Sequence, residues 1–177
     1  LVLTCRTAHK DRMGRLFEAP FGSLIDNLTG NNMEFYDLLL PEDPGIIVMD
    51  GKRYRWNTWG EILIPGKDSA PWATYTEEFY EGKPGITFRK VGKGTITYVG
   101  VDSTDGLLEA DVLKKLYATL NIPVMDLPYG VTMEYRNGMG IVLNYSDKPY
   151  RLALPAGAKV LVGEAEIPTA GVLVFKY

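Results

Sequence analysis

The chain has 177 residues, 46% of them hydrophobic and 23% charged, which suits one ordinary domain or two small ones with a buried core. A net charge of −3, without a Lys/Arg cluster interleaved with aromatics, gives no footing for a nucleic-acid partner. No apolar run reaches the ~18 residues of a membrane span, so no membrane partner is expected, and a single cysteine excludes an internal disulfide.

Leu1 to Cys5 reads as a strand, and its apolar opening suggests burial on both faces, as in a parallel sheet. Such a strand needs βα neighbours, and the chain opens on it without a methionine or a signal peptide. The expectation is therefore a C-terminal piece of a longer protein. Residues 6–22 are charged and punctuated by glycine, so they read as a long loop of the functional or interfacial kind. Ser23 is placed to cap a short helix over Leu24 to Leu28, ended by Gly30 and Asn31. Met33 to Tyr36 is a short strand.

From Ile46 the pattern becomes β. Ile46 to Met49 and Lys52 to Trp56 flank Asp50-Gly51, a strong hairpin signal. Trp59 to Ile64, Trp72 to Phe79 and Ile86 to Val91 follow as strands. The stretch FRKVGKGTITYVGVD, Phe88 to Asp102, organises the region: a strand, a glycine turn at Gly92-Lys93-Gly94, and a second strand over Thr95 to Val101. Asp102 to Gly106 then opens a helix over Leu107 to Leu120. Its apolar face is Leu108, Val112, Leu113, Leu116, Tyr117 and Leu120, with Asp111 and Lys115 spaced for an ion pair and Asp105 at the positive end. Asn121 and Pro123 stop it.

Beyond Leu127-Pro128 the chain reads as a small antiparallel β-sandwich or barrel. Val131, Met133 and Tyr135 alternate with polar residues, Asn137-Gly138 turns the chain, and Met139, Ile141, Leu143 and Tyr145 continue the alternation. Turn signals then space out three or four more short strands. About fifty residues is marginal for independent stability, so this module is expected to pack on the first. The division falls at 1–125 and 126–177.

Candidate chemistry is thin. Cys5 and His9 are the only cysteine and histidine, but a nucleophile elbow needs small flanking residues, and here Thr4 and Arg6 flank the thiol with no helix behind. With so few ligands no metal or other cofactor is expected. Glu77 and Glu78, adjacent on a strand, point to opposite faces and cannot serve one sugar. Asp102 to Gly106 lacks the ligand run of a calcium loop and reads as a helix-entry turn. Gly92-Lys93-Gly94 joins strand to strand, so it is no phosphate loop. The dense aromatics Trp56, Trp59, Trp72, Tyr75, Phe79 and Tyr80 are either a sugar-stacking platform or buried core and interface, and burial is favoured. Trp56, Trp59, Trp72 and Tyr75 are the candidate sugar-contact or interface residues.

Two segments resemble a known family. The start, with Arg6-Thr7, Lys10-Asp11, Gly14-Arg15 and Pro20, is similar to the second domain of glycoside hydrolase family 42 β-galactosidases, as is the glycine hairpin of FRKVGKGTITYVGVD. GVTMEYRNGMGIVLNYSDKP, with its Asn144-Tyr145-Ser146-Asp147-Lys148-Pro149 turn, is similar to the family's small C-terminal β domain. The resemblance implies an α+β, β-rich chain: a truncated flavodoxin-like α/β trimerisation domain followed by a small antiparallel β-sandwich. It also implies a parent whose catalytic glutamates lie on a (β/α)8 barrel of the same polypeptide, two carboxylates at about 5 Å in a retaining enzyme. No catalytic residue falls in this chain. The implied partners are that barrel and further copies in a homotrimer, with galactosides met only indirectly. For the parent a cytoplasmic location is favoured.

Overall fold

The computed structural model describes residues 1–20 and 22–176 and divides into two compact units, Leu1–Pro123 and Val124–Tyr177. The first is built on a mixed eight-stranded sheet. Its strands are β1 (Val2–Thr4), β2 (Asn31–Asp37), β3 (Gly45–Met49), β4 (Lys52–Pro65), β5 (Ser69–Tyr75), β6 (Pro84–Val91), β7 (Gly94–Val99) and β8 (Val101–Ser103), joined by helices α1 (Asp26–Thr29) and α2 (Leu107–Thr119). The order is β1-β7-β6-β5-β3-β4-β2, with β8 paired to β4. β1 runs parallel to β7, and the other pairings are antiparallel.

Local turn chemistry sets the hairpins. Asp50 and Gly51 both adopt positive φ (52° and 78°), the twist that suits a two-residue connection, and β3 meets β4 from Met49↔Lys52 onward. The glycine hairpin closes as expected at Val91↔Gly94. The strand after it does not run through to Val101. It breaks at Gly100, whose amide bonds Gly85 O and whose carbonyl accepts from Glu61 N at 2.7 Å. A Cβ there would lie 3.0 Å from Gly85 O, so a glycine lets two backbones meet and hands the chain from β7 to β8.

Several other expectations are corrected. β1 is an edge strand, with Val2 and Leu3 half-buried and Thr4 exposed, so it is not buried on both faces. The first helix is a single turn without a Ser23 cap, because that hydroxyl donates to Pro20 O, while Gly30 ends it in the left-handed conformation as read. Within the loop of residues 6–22, Phe21 lies outside the described residues. β4 is one continuous strand through Trp56 to Trp59, bulged where Thr58 takes φ 67°, and β5 stops at Tyr75. Glu77 and Glu78 therefore lie in a turn and not on a strand. Asp111 and Lys115 reach away from each other, Asp111 to Lys52 and Tyr54, Lys115 to Asp50. On α2 the buried stripe is Leu108, Val112 and Leu116, while Leu113, Tyr117 and Leu120 stay about two-fifths exposed.

The core of the first unit gathers Ile47, Met49, Trp56, Tyr75, Ile86 and Val99 from the sheet against Leu108 and Val112 of α2. Trp56 occupies a slot between two glycines. A Cβ at Gly45 would come within 2.6 Å of its indole nitrogen, and one at Gly60 within 2.6 Å of its six-membered ring.

The second unit pairs β9 (Val131–Arg136), β10 (Met139–Asn144), β14 (Val172–Lys176) and β12 (Lys159–Val162) in the order β12-β14-β10-β9, beside a two-stranded ladder of β11 (Tyr150–Arg151) and β13 (Glu166–Ile167). The Asn137-Gly138 turn is two residues long, so an odd-numbered residue on β9 faces an even-numbered one on β10. The buried set on β10 is accordingly Gly140, Val142 and Asn144, not Met139, Ile141 and Leu143. Val142, Leu173, Phe175, Val131, Leu152 and Ile167 form the core, and Gly140 makes room for the Phe175 ring.

Asn144, 1% exposed, clamps this unit. Its Nδ2 donates to the carbonyls of Lys148 (2.8 Å), Ile167 (3.0 Å) and Pro168 (3.1 Å), and its Oδ1 accepts from Ser146 N and Oγ. An Asn144→Asp change would aim a carboxylate at three carbonyls. It is expected to destabilise the second unit by roughly 3 kcal/mol or more, and by more than Asn144→Ala. Hydrogen exchange of the β10 and β14 amides reads the difference.

Candidate functional site

The polar centre of the first unit is Glu61. It lies on β4 inside a run of four buried residues, Gly60 to Leu63, and is fully buried. Alternation along the strand puts Trp59, Glu61 and Leu63 on one face, and Trp59 Nε1 donates to Glu61 Oε1 at 3.0 Å. The Arg6 amide donates to the same oxygen at 2.7 Å, and His9 Nε2 lies 3.6 Å from it. Tyr98, on β7, donates its hydroxyl to Oε2 at 2.6 Å. Burial, and then the charge and hydrogen bond of Glu61, push the Tyr98 pKa up, so it remains a donor.

The loop after β1 is shaped to meet this group. Arg6 and Ala8 both take positive φ (63° and 61°), strained for residues with a Cβ. Thr7 Oγ1 donates to Thr4 O, and a bridge between Lys10 and Leu16 folds the loop back on itself. Arg6 reaches Asp102 at 3.0 Å and lies 5.5 Å from the centre of the Trp59 ring, which stacks on Tyr36 at 4.3 Å and 10°. Together Arg6, His9, Lys10, Leu16, Tyr36 and Trp59 line an open cleft of about 590 Å³.

The chemistry of Cys5 runs opposite to that of a nucleophile. Burial first, then a hydrogen bond from Sγ to Asp102 at 3.1 Å, pushes the thiol up to about 12, which leaves almost no thiolate at neutral pH. His9 is engaged with Glu61 and the Trp59 ring, 5.9 Å away. Asp102 to Gly106 does form a helix entry: Ser103 Oγ accepts from Gly106 N, and Asp105 from Leu107 N. Of the four candidate aromatics, Trp56 and Tyr75 are 1% exposed and belong to the core. Trp72 is partly buried, stacked on Phe88 and 4.9 Å from the Lys115 ammonium. Trp59 alone of the four lines the cleft. The sequence does not single out Glu61, Tyr36 or Tyr98, and it offers Asp102 only as part of a helix-entry turn, not as the partner of Cys5 and Arg6. The available signal was a lone acid in the apolar run Trp59 to Ile64.

Two outcomes follow from this geometry. Glu61→Ala leaves the Arg6 amide, the Trp59 indole and the Tyr98 hydroxyl without their acceptor and is expected to cost on the order of 3 kcal/mol or more in chemical denaturation. The second concerns His9. Burial lowers its pKa below 6.5, against the opposing pull of Glu61. The unfolded chain then binds the proton more readily, so stability is fully present above the unfolded pKa and is lost as pH falls toward the folded value. Denaturation at about pH 7.5 and about pH 5 should differ less in His9→Gln than in the parent chain.

Comparison with known proteins bears on both units. Residues 1–127 match the model of the β-galactosidase trimerisation domain, and residues 130–176 that of the β-galactosidase C-terminal domain. The β-galactosidase BgaH of Haloferax lucentense is 29% identical over 167 residues, 94% of this chain and 25% of the relative. The β-galactosidase BglY of Alicyclobacillus acidocaldarius is 33% identical, covering 97% and 26%. The chain thus spans about a quarter of the length of these relatives. Among solved structures, the cold-adapted β-galactosidase of Rahnella sp. R3 superposes with a TM-score of 0.82 at 25% identity, covering 99% of this chain and 28% of that one. The β-galactosidase of Halorubrum lacusprofundi shares the fold at 0.79 and 21%, covering 99% and 27%. On these matches, which take in nearly every residue, the chain belongs to the glycoside hydrolase family 42 β-galactosidases and comprises the trimerisation and C-terminal domains of that family.

Proposed function

We propose that this chain is the non-catalytic, subunit-associating part of a retaining β-galactosidase that acts on terminal β-galactosides. The observation that carries the reading is the uninterrupted succession of a trimerisation domain and a C-terminal domain on a chain a quarter of its relatives' length. The chemistry then belongs to a barrel of the same polypeptide, and the partners are that barrel and two further copies. The placement of the acids supports this. Glu61 is sealed in the core with both oxygens engaged, and Glu77 lies in a turn 3.9 Å from Arg53. The other reading, a sugar-binding module on the aromatic cluster, is weakened because Trp56 and Tyr75 are core.

The chain in solution is expected to have three times the mass of one copy by light scattering, and a monomer at all concentrations would overturn the association. Pure chain is expected to release no chromophore from a nitrophenyl β-galactoside. Turnover that co-purifies with it would overturn the non-catalytic part.

A further inference from the structure

The first unit carries two exposed surfaces of opposite sign, and its core uses neither. One is the tip of the loop after β1. It holds Lys10, Arg12 and Arg15 against a single acid, Asp11, whose carboxylate accepts from the amides of Met13 and Arg15. All three cations are exposed, and none makes an ion pair among the described residues. Met13 stands between the two arginines, 70% exposed.

The other surface is the turn between β5 and β6, where Glu77, Glu78 and Glu81 precede the first cation, Lys83. Glu77 has Arg53 at 3.9 Å, but Glu78 and Glu81 make no ion pair among the described residues. Tyr80 turns inward and pins the turn by donating to Asp37 at 2.7 Å. Phe79 turns outward and stays 80% exposed although it stacks on Phe35. A hollow of about 50 Å³ beside it is lined by Asp43, Glu77 and Glu78 and by no Lys or Arg.

The placement of the two surfaces suits a ring. Neighbouring side chains on β2 point to opposite faces of the sheet. Tyr36 stacks on Trp59 on the face where the loop lies, and Phe35 stacks on Phe79 on the other. Each copy thus shows a cationic tip on one face and an anionic turn on the other. A trimer closed head to tail needs two unlike, complementary patches on every copy, and opposite charge steers such a contact and fixes its register.

We propose that the cationic tip of one copy seats on the Phe79 turn of the next. Arg12 and Arg15 meet Glu78 and Glu81, and the Met13 thioether packs on the Phe79 ring. The contact rests on the subunit association proposed above and names the surfaces that carry it.

The test follows the whole 177-residue chain by light scattering over a dilution series. Four forms are compared: the parent, Arg12→Glu with Arg15→Glu, Glu78→Lys with Glu81→Lys, and all four changes together. Each pair of reversals sets like charges against each other and is expected to raise the concentration of half-dissociation at least about tenfold. The fourfold variant restores opposite signs at every contact and is expected to recover the parent's behaviour, which also shows that the exposed substitutions spare the fold. Trimers unmoved by either pair leave association standing and overturn this contact, giving the two surfaces to another partner such as the barrel. Weakening without recovery in the fourfold variant overturns the pairing. A parent that is monomeric at every concentration overturns the association and this contact with it.

Discussion

A buried carboxylate that takes its partners from three separate stretches of chain governs the first unit. Glu61 sits where β4, the loop after β1 and β7 converge, and its two oxygens accept from a backbone amide, an indole and a phenol. The Tyr98 hydroxyl would otherwise be an unpaired polar group in the interior, and the Arg6 amide and Trp59 indole are partly buried beside it, so the acid and its partners stabilise one another as a set. Its backbone is held in the same way, through Gly100 O on its amide and the Tyr75 hydroxyl on its carbonyl. The loop of residues 6–20, which forms the cleft, is thereby anchored to the sheet core at Arg6.

The aromatic core answers a different need. Wide rings on adjacent strands collide unless some positions carry no side chain. Trp56 lies between Gly45 and Gly60, and Gly85 leaves space for the Tyr75 ring and for Ile47. The result is a sheet whose interior is filled by few, large groups that meet at tilted angles, such as Trp56 on Tyr75 at 60° and Tyr75 on Tyr80 at 74°. Packing of this kind is specific because a shift of one strand by two residues would place a ring where a glycine must be.

How much of this the sequence discloses depends on how local the cause is. Asp50-Gly51, Gly92-Lys93 and Asn137-Gly138 declare their hairpins because the turn residues alone fix the geometry, and α2 declares itself by its period. What stays hidden is set by distant partners. Arg6 and Glu61 are 55 residues apart, Glu61 and Tyr98 are 37, and nothing in either neighbourhood announces the other. The facing of β10 lies between these cases. Both its sides carry apolar residues, so the alternation is silent, and only the parity imposed by the turn decides which side goes in. The aromatic run from Trp56 to Tyr80 is conspicuous in sequence, yet burial divides it. Trp56, Tyr75 and Tyr80 go to the core, Trp59 to the cleft, and Phe79 stays 80% exposed.

The Asn144 clamp gives the two units different responses to temperature. Heat capacity on unfolding rises with apolar surface exposed and falls with polar surface exposed. The first unit opens a core of thirteen buried apolar and aromatic residues, whereas the second opens six around a hub of amide-to-carbonyl bonds. The stability curve of the first unit is therefore the more strongly arched, and that of the second is comparatively flat. Cooling erodes the driving force of the aromatic core while leaving the directional bonds of Asn144 almost untouched, so the smaller unit is the less cold-sensitive of the two.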